Sequence, residues 1–138
     1  MIGLDTNVLA RYYIEDAGDT EAAKQREAAR RLIESGQPLM VCKTVLLELE
    51  WVMRGYYEFS PPEVAGVMNH LMSLAQVAVE DRECVARAIA WCEAGLDFAD
   101  ALHHASYRTC ESVASFDDRK FARRARRMGL APRIIVPQ

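Results

Sequence analysis

At 138 residues the chain has room for one hydrophobic core and not for two, so a single domain spanning 1–138 is expected. A hydrophobic share of 51% excludes a mainly disordered chain, and no apolar run approaches the ~20 residues of a membrane-spanning helix. The net charge of −3 divides unevenly: ten Lys and Arg face seventeen Asp and Glu over residues 1–110, whereas seven face three over 111–138.

From the amino end, short apolar runs alternate with stretches of helical period. The runs Met1–Leu4, Leu39–Cys42, Gln76–Val79, Ser112–Phe116 and Arg133–Val136 read as strands. Helices are expected over Val8–Tyr13, Thr20–Ser35, Val45–Arg54, Pro61–Leu74, Arg82–Ala94, Phe98–Thr109 and Asp118–Met128. Gly36, Gly55, Gly95 and Gly129 stand where helices should stop. Ser60 before Pro61 and Pro62 reads as a helix start. Such alternation predicts an α/β fold with a parallel sheet covered on both faces. In that architecture ligands bind beyond the carboxyl ends of the strands.

Acids stand at those junctions. Asp5 follows the first run, which reads as a buried strand, and Asp117 follows the fourth; Asp97 and Asp100 open a helix. Each has a structural alternative, because an aspartate oxygen accepts a bond from an unpaired first-turn N–H. Asp97 and Asp100 have the spacing of a capping box. Glu48 shares a helix face with Thr44, Val45, Trp51 and Val52, so it is expected to point inward, whereas Glu50 with Arg54 at i+4 reads as a surface pair. Tyr12, Tyr13, Trp51, Met53, Tyr56 and Tyr57 read as core.

If Asp5, Glu48, Asp100 and Asp117 converge, their repulsion is large: two unit charges about 4 Å apart cost roughly 4 kcal/mol at an effective dielectric near 20. Protonation or a cation relieves it. Oxygen ligands with few histidines favour Mg²⁺ or Mn²⁺ over zinc. Such ions support displacement at a phosphodiester. His103 and His104 are expected to pack or to face solvent.

The segments IGLDTNVLARYY, TVLLELEWVMRG, FADALHHASY and VASFDDRKFARRA resemble, in order and spacing, the PIN domain and more narrowly the VapC-type toxins of toxin–antitoxin pairs. The resemblance implies a three-layer α/β/α sandwich on a central, mainly parallel five-stranded sheet. It also implies Mg²⁺- or Mn²⁺-dependent cleavage of RNA by a metal-activated water. Asp5, Glu48, Asp100 and Asp117 fall on the family's acids and would be catalytic and metal-binding. Thr6 and Asn7 complete its D-T-N. Ser115 stands where the family has threonine, keeping the hydroxyl without the methyl. Asp97 and Asp118 are additional acids near the site. A homodimer and an antitoxin partner are implied as well.

The segment DDRKFARRARRMG carries most of the late positive charge. Arg119, Arg123, Arg124, Arg126 and Arg127 could hold RNA phosphates, cover an antitoxin surface, or form a solvated helix face. Two other classes share the acidic junctions. One is an aspartyl phosphotransfer or receiver-like domain, disfavoured because Lys120 is the only lysine after residue 43 and lies in a helix rather than at a strand end. The other is an RNA-binding module without cleavage. The four cysteines, Cys42, Cys84, Cys92 and Cys110, form no C-x-x-C pair, and no secretory leader pattern opens the chain. Reduced thiols and a cytoplasmic setting are expected.

Overall fold

In the computed structural model, which describes residues 1–117 and 119–138, helix follows strand along nearly the whole chain. The residues fall into two units, Met1–Arg82 and Glu83–Gln138.

The first unit begins with β1 (Ile2–Gly3), α1 (Thr6–Tyr13), α2 (Thr20–Ile33), β2 (Leu39–Val41) and α3 (Lys43–Trp51). A π turn over Val52–Tyr56, then α4 (Pro61–Ser73) and β3 (Val77–Val79) complete it. Its sheet has the order β1-β2-β3, all parallel, with Ile2 opposite Leu39 and Met40 opposite Ala78. Leu39, Val41, Val77 and Val79 are buried on one face, joined in the core by Leu9, Ile33, Leu46, Leu49, Met53 and Leu71. Met40 and Ala78, on the other face, are exposed. Cover on both faces was the expectation, and here one face is covered. β1 is likewise not the buried strand its apolar residues suggest: it is the edge strand, and Ile2 and Gly3 are exposed.

Local chemistry sets most helix ends. Ser60 accepts from the Glu63 N–H at 3.3 Å while Glu63 accepts from the Ser60 N–H at 3.0 Å, a complete capping box with Pro61 and Pro62 in the first turn. Gly55 does not stop the third helix as expected. The chain widens into the π turn, where Tyr57 N–H reaches the Val52 carbonyl at 3.2 Å, and runs through Gly55. Of the aromatic and apolar residues expected in the core, Met53 is buried, whereas Trp51 and Tyr56 are 63% and 76% exposed.

The second unit contains α5 (Arg82–Glu93), α6 (Phe98–Ser106), β4 (Ser112–Ala114), α7 (Phe121–Met128) and β5 (Arg133–Ile135). β4 and β5 pair in parallel, with Val113 opposite Ile134. The five predicted strands therefore all form and all pair in parallel, as a three-stranded and a two-stranded sheet rather than as one five-stranded sheet among the described residues. Each strand is only two or three residues long, so each sheet rests on a few ladder bonds. Ala122, Ala125 and Ile134 pack with Phe121 and Leu130. His104 is buried between the rings of Trp91 and Phe121, with centroids 5.9 and 5.3 Å away, and it bonds to the Pro132 carbonyl. His103 is exposed. All four cysteines are unpaired as disulfides, and no helix of the described residues is long and apolar enough to cross a membrane.

Burial pushes the His104 imidazole below the usual histidine range, against the opposing effect of the Pro132 bond. Its folded-state value thus lies below its unfolded one. The neutral ring contributes full stability above about pH 6.5, and that contribution is lost as the pH falls. Urea titrations at pH 7 and pH 5 should show a smaller loss of stability for His104→Phe than for the wild type. Removing the capping hydroxyl with Ser60→Ala should cost about 1 kcal/mol in the same assay at pH 7.

Candidate active site

Asp5 leaves the sheet one residue beyond Leu4, whose N–H bonds to the Met40 carbonyl at 2.9 Å. It caps α1, accepting from the Thr6 N–H through Oδ1 at 2.8 Å, and is itself exposed. A cap and a metal ligand are compatible at one residue, because one carboxylate oxygen remains. The Thr6 hydroxyl is buried yet has no hydrogen-bond partner among the described residues. An unpaired buried hydroxyl costs about 1–3 kcal/mol, and a bound water beside Asp5 would satisfy it. Asn7 is exposed and borders a small cavity with Val8, Arg11 and Gln25 rather than Asp5.

Glu48 lies on α3, which packs against α1. Its orientation reverses the expectation. Glu48 is exposed, and Glu50 is 4% exposed and bonded to Arg54 at 2.7 Å. The buried stripe of α3 and the π turn is Leu46, Leu49 and Met53, and Glu50 falls beside it at i+4 from Leu46. The face carrying Thr44, Trp51 and Glu48 is the outer one. A feature the sequence does not reveal fixes the start of α3. Cys42 supplies no side-chain cap; instead the Glu80 carboxylate, just past β3, accepts from the Lys43 N–H at 2.8 Å.

In the second unit, α5 ends with Gly95 in the left-handed region (φ +107°), and Leu96 N–H reaches the Trp91 carbonyl at 3.0 Å. That turn delivers Asp97 to the cap of α6, where it accepts from the Asp100 N–H at 3.1 Å. Asp97 is exposed and Asp100 half-buried. Ser115 continues the β4–β5 ladder through its N–H to the Ile135 carbonyl, and its hydroxyl accepts from the Asp117 N–H at 3.0 Å. The hydroxyl therefore has a task, holding the backbone of Asp117, that threonine or serine can fulfil. Asp117 in turn accepts from the Arg119 N–H at 3.2 Å. Asp118 lies outside the described residues.

These acids act on one another. Burial raises the Asp100 carboxyl above the usual aspartate range, the charges of Asp97 and then Asp117 raise it further, and His103 opposes. No group of three His, Cys, Asp or Glu side chains among the described residues is close enough to cage an ion. The acids are thus near enough to repel and not drawn into a preformed cage. Mg²⁺ keeps several waters and often uses only one or two carboxylates, so this donor set suits a hard, partly hydrated cation.

α7 stands beside these acids. Arg124 Nη1 donates to the Gly95 carbonyl, tying the helix to the turn that precedes Asp97. Arg119, Lys120, Arg123 and Arg127 border a cavity of about 430 Å³ together with Asp97 and Asp100, whereas Arg126 is exposed and outside it. The helix starts at Phe121, so Lys120 precedes it. A larger groove of about 1060 Å³ in the first unit, lined by residues of α1, α2 and α4, contains none of the predicted acids.

The PIN domain family model matches residues 2–127 of the chain. No curated protein matches it.

Two measurements follow. In an Asp97→Asn protein Asp100 should titrate at lower pH than in the wild type, read by carboxyl-carbon NMR; an unchanged titration would exclude Asp97 as a cause. Because its folded value is raised, this carboxyl favours folding at pH below the ordinary aspartate range and opposes it as the pH rises. By urea unfolding, Glu50→Ala should cost about 1–3 kcal/mol, since it strips a buried charge-assisted bond, and Glu48→Ala within about 0.5 kcal/mol of zero.

Proposed function

Because the chain belongs to the PIN domain family, we propose that it is a divalent-metal-dependent endoribonuclease serving as the toxin of a toxin–antitoxin pair. The observation that carries the chemistry is the electrostatic coupling of Asp100 to Asp97 and Asp117 beside an arginine-bearing helix. Three like charges in one field have their lowest energy with a cation among them.

In this reading the chain is a nuclease, and Asp5, Glu48, Asp100 and Asp117 are its ligands for one or two ions of Mg²⁺ or Mn²⁺. A bound ion lowers the pKa of water and stabilises the negative charge that develops on a departing oxygen. The remaining work belongs to the chain. Asp97 holds the first turn of α6 so that Asp100 keeps its position. The Thr6 N–H fixes the rotamer of Asp5, leaving its second oxygen for a ligand. Ser115 fixes the backbone of Asp117. Glu80 anchors the helix from which Glu48 projects, and the outward orientation of Glu48 suits a residue that must reach an ion rather than fill the core.

The arginines that line the cavity beside Asp97 and Asp100 supply positive charge where an anionic substrate arrives. An antitoxin covering the acids and a homodimeric, cytoplasmic enzyme complete the proposal.

Purified protein should cleave single-stranded RNA with Mn²⁺ or Mg²⁺ and stop on addition of EDTA. Asp5→Asn and Asp100→Asn should each lower the rate by at least about 100-fold, the scale on which a catalytic group contributes, with unchanged circular dichroism. Activity that survives either substitution, or the chelator, would contradict the assignment.

A further inference from the structure

α7 carries four arginines, and its geometry sorts them. Ala122 and Ala125 are buried and set the inner face. Arg123 and Arg127, at i and i+4, share one face of α7, Lys120 immediately precedes the helix, and all three border the cavity. Arg124 borders it too, but its guanidinium is committed to the Gly95 carbonyl. Arg126 lies outside the cavity and faces solvent.

Lys120, Arg123 and Arg127 are exposed and form no salt bridge among the described residues; neither does Arg119, which also lines the cavity. Several cations lining one concave space repel one another, and a bound anion removes that cost. Guanidinium forks match phosphate oxygens two at a time. Asp97 and Asp100 line the same cavity. An acidic peptide would meet those carboxylates with its own like charge. A phosphodiester strand can place one phosphate with a cation near the acids and the next on the arginines.

We propose that Lys120, Arg123 and Arg127, with Arg119, form a phosphate-binding subsite for the backbone flanking the scissile bond, and that Arg126 takes no part. The choice of a phosphodiester rests on the nuclease reading; the division among the arginines rests on the geometry of α7. The subsite positions substrate and carries little base preference, because phosphate contacts are the same in every sequence.

The test is fluorescence anisotropy of a labelled single-stranded RNA with the full chain in EDTA, where cleavage plays no part. The Arg123→Gln/Arg127→Gln protein should bind more weakly, by a similar factor for unrelated sequences. Its slope of log affinity against log salt should fall by about 0.7 for each lost contact. Arg126→Gln should match the wild type in both. An equal loss for Arg126→Gln, or no loss for the double variant, would overturn the subsite. So would displacement of the RNA by an acidic peptide that itself binds through Arg123 and Arg127, since that face would then be a protein-docking surface. Failure of the nuclease reading looks different: no cleavage with Mn²⁺, while RNA binding still depends on Arg123 and Arg127.

Discussion

Parallel strand pairing governs where chemistry can occur in this chain. β1 pairs with β2, and β4 with β5, with every strand in its sheet pointing the same way. Each sheet therefore has one edge at which all its strands end and the following segments begin. Asp5 stands at that edge in the first unit, two residues past β1, and Asp117 stands at it in the second, three residues past β4. Had β1 run antiparallel to β2, Asp5 and the start of the helix that carries Glu48 would stand at opposite ends of the first sheet. The direction of a few main-chain hydrogen bonds thus precedes any property of the acids themselves.

Within that frame the acids are held by local bonds whose other members are backbone N–H groups. Asp5, Asp97 and Asp117 each accept one, and a capped helix end is satisfied by the same carboxylate that retains an oxygen for a ligand. Structural and chemical duties are therefore combined rather than opposed. Asp100 differs. Half-buried and close to two other acids, it holds its proton more tightly than an ordinary aspartate. A nearby cation would offset that penalty. The arginines of α7 that line the same cavity carry the opposite charge, and among the described residues they form no salt bridge with Asp97 or Asp100.

Much of this is legible in the residues because it is local. Ser60 with Glu63, Asp97 with Asp100, and the left-handed Gly36, Gly95 and Gly129 all act within a few positions along the chain. The assignments that failed depend on what packs from elsewhere. Glu48 and Glu50 are two residues apart, and only the burial of Leu46, Leu49 and Met53 decides which turns inward. The apolar neighbours of Glu48 pointed the wrong way because Trp51 remains exposed. The Glu80 cap on α3 joins residues 37 positions apart, and no spacing rule announces it. Gly55 has the chemistry of a helix stop, yet the π turn accommodates it without one. Even α7 divides in this manner: its positive charge is evident from composition, and the distinct positions of Arg124, Arg126 and Arg127 only from the fold.

The central proposal is that Asp100, whose carboxyl is pressed by Asp97 and Asp117, serves a divalent metal centre. Anomalous scattering from crystals soaked in Mn²⁺ tests it most directly. The account predicts a peak bound by Asp100 or Asp117. A peak bound by neither, or no peak at an Mn²⁺ concentration that supports RNA cleavage, would contradict it.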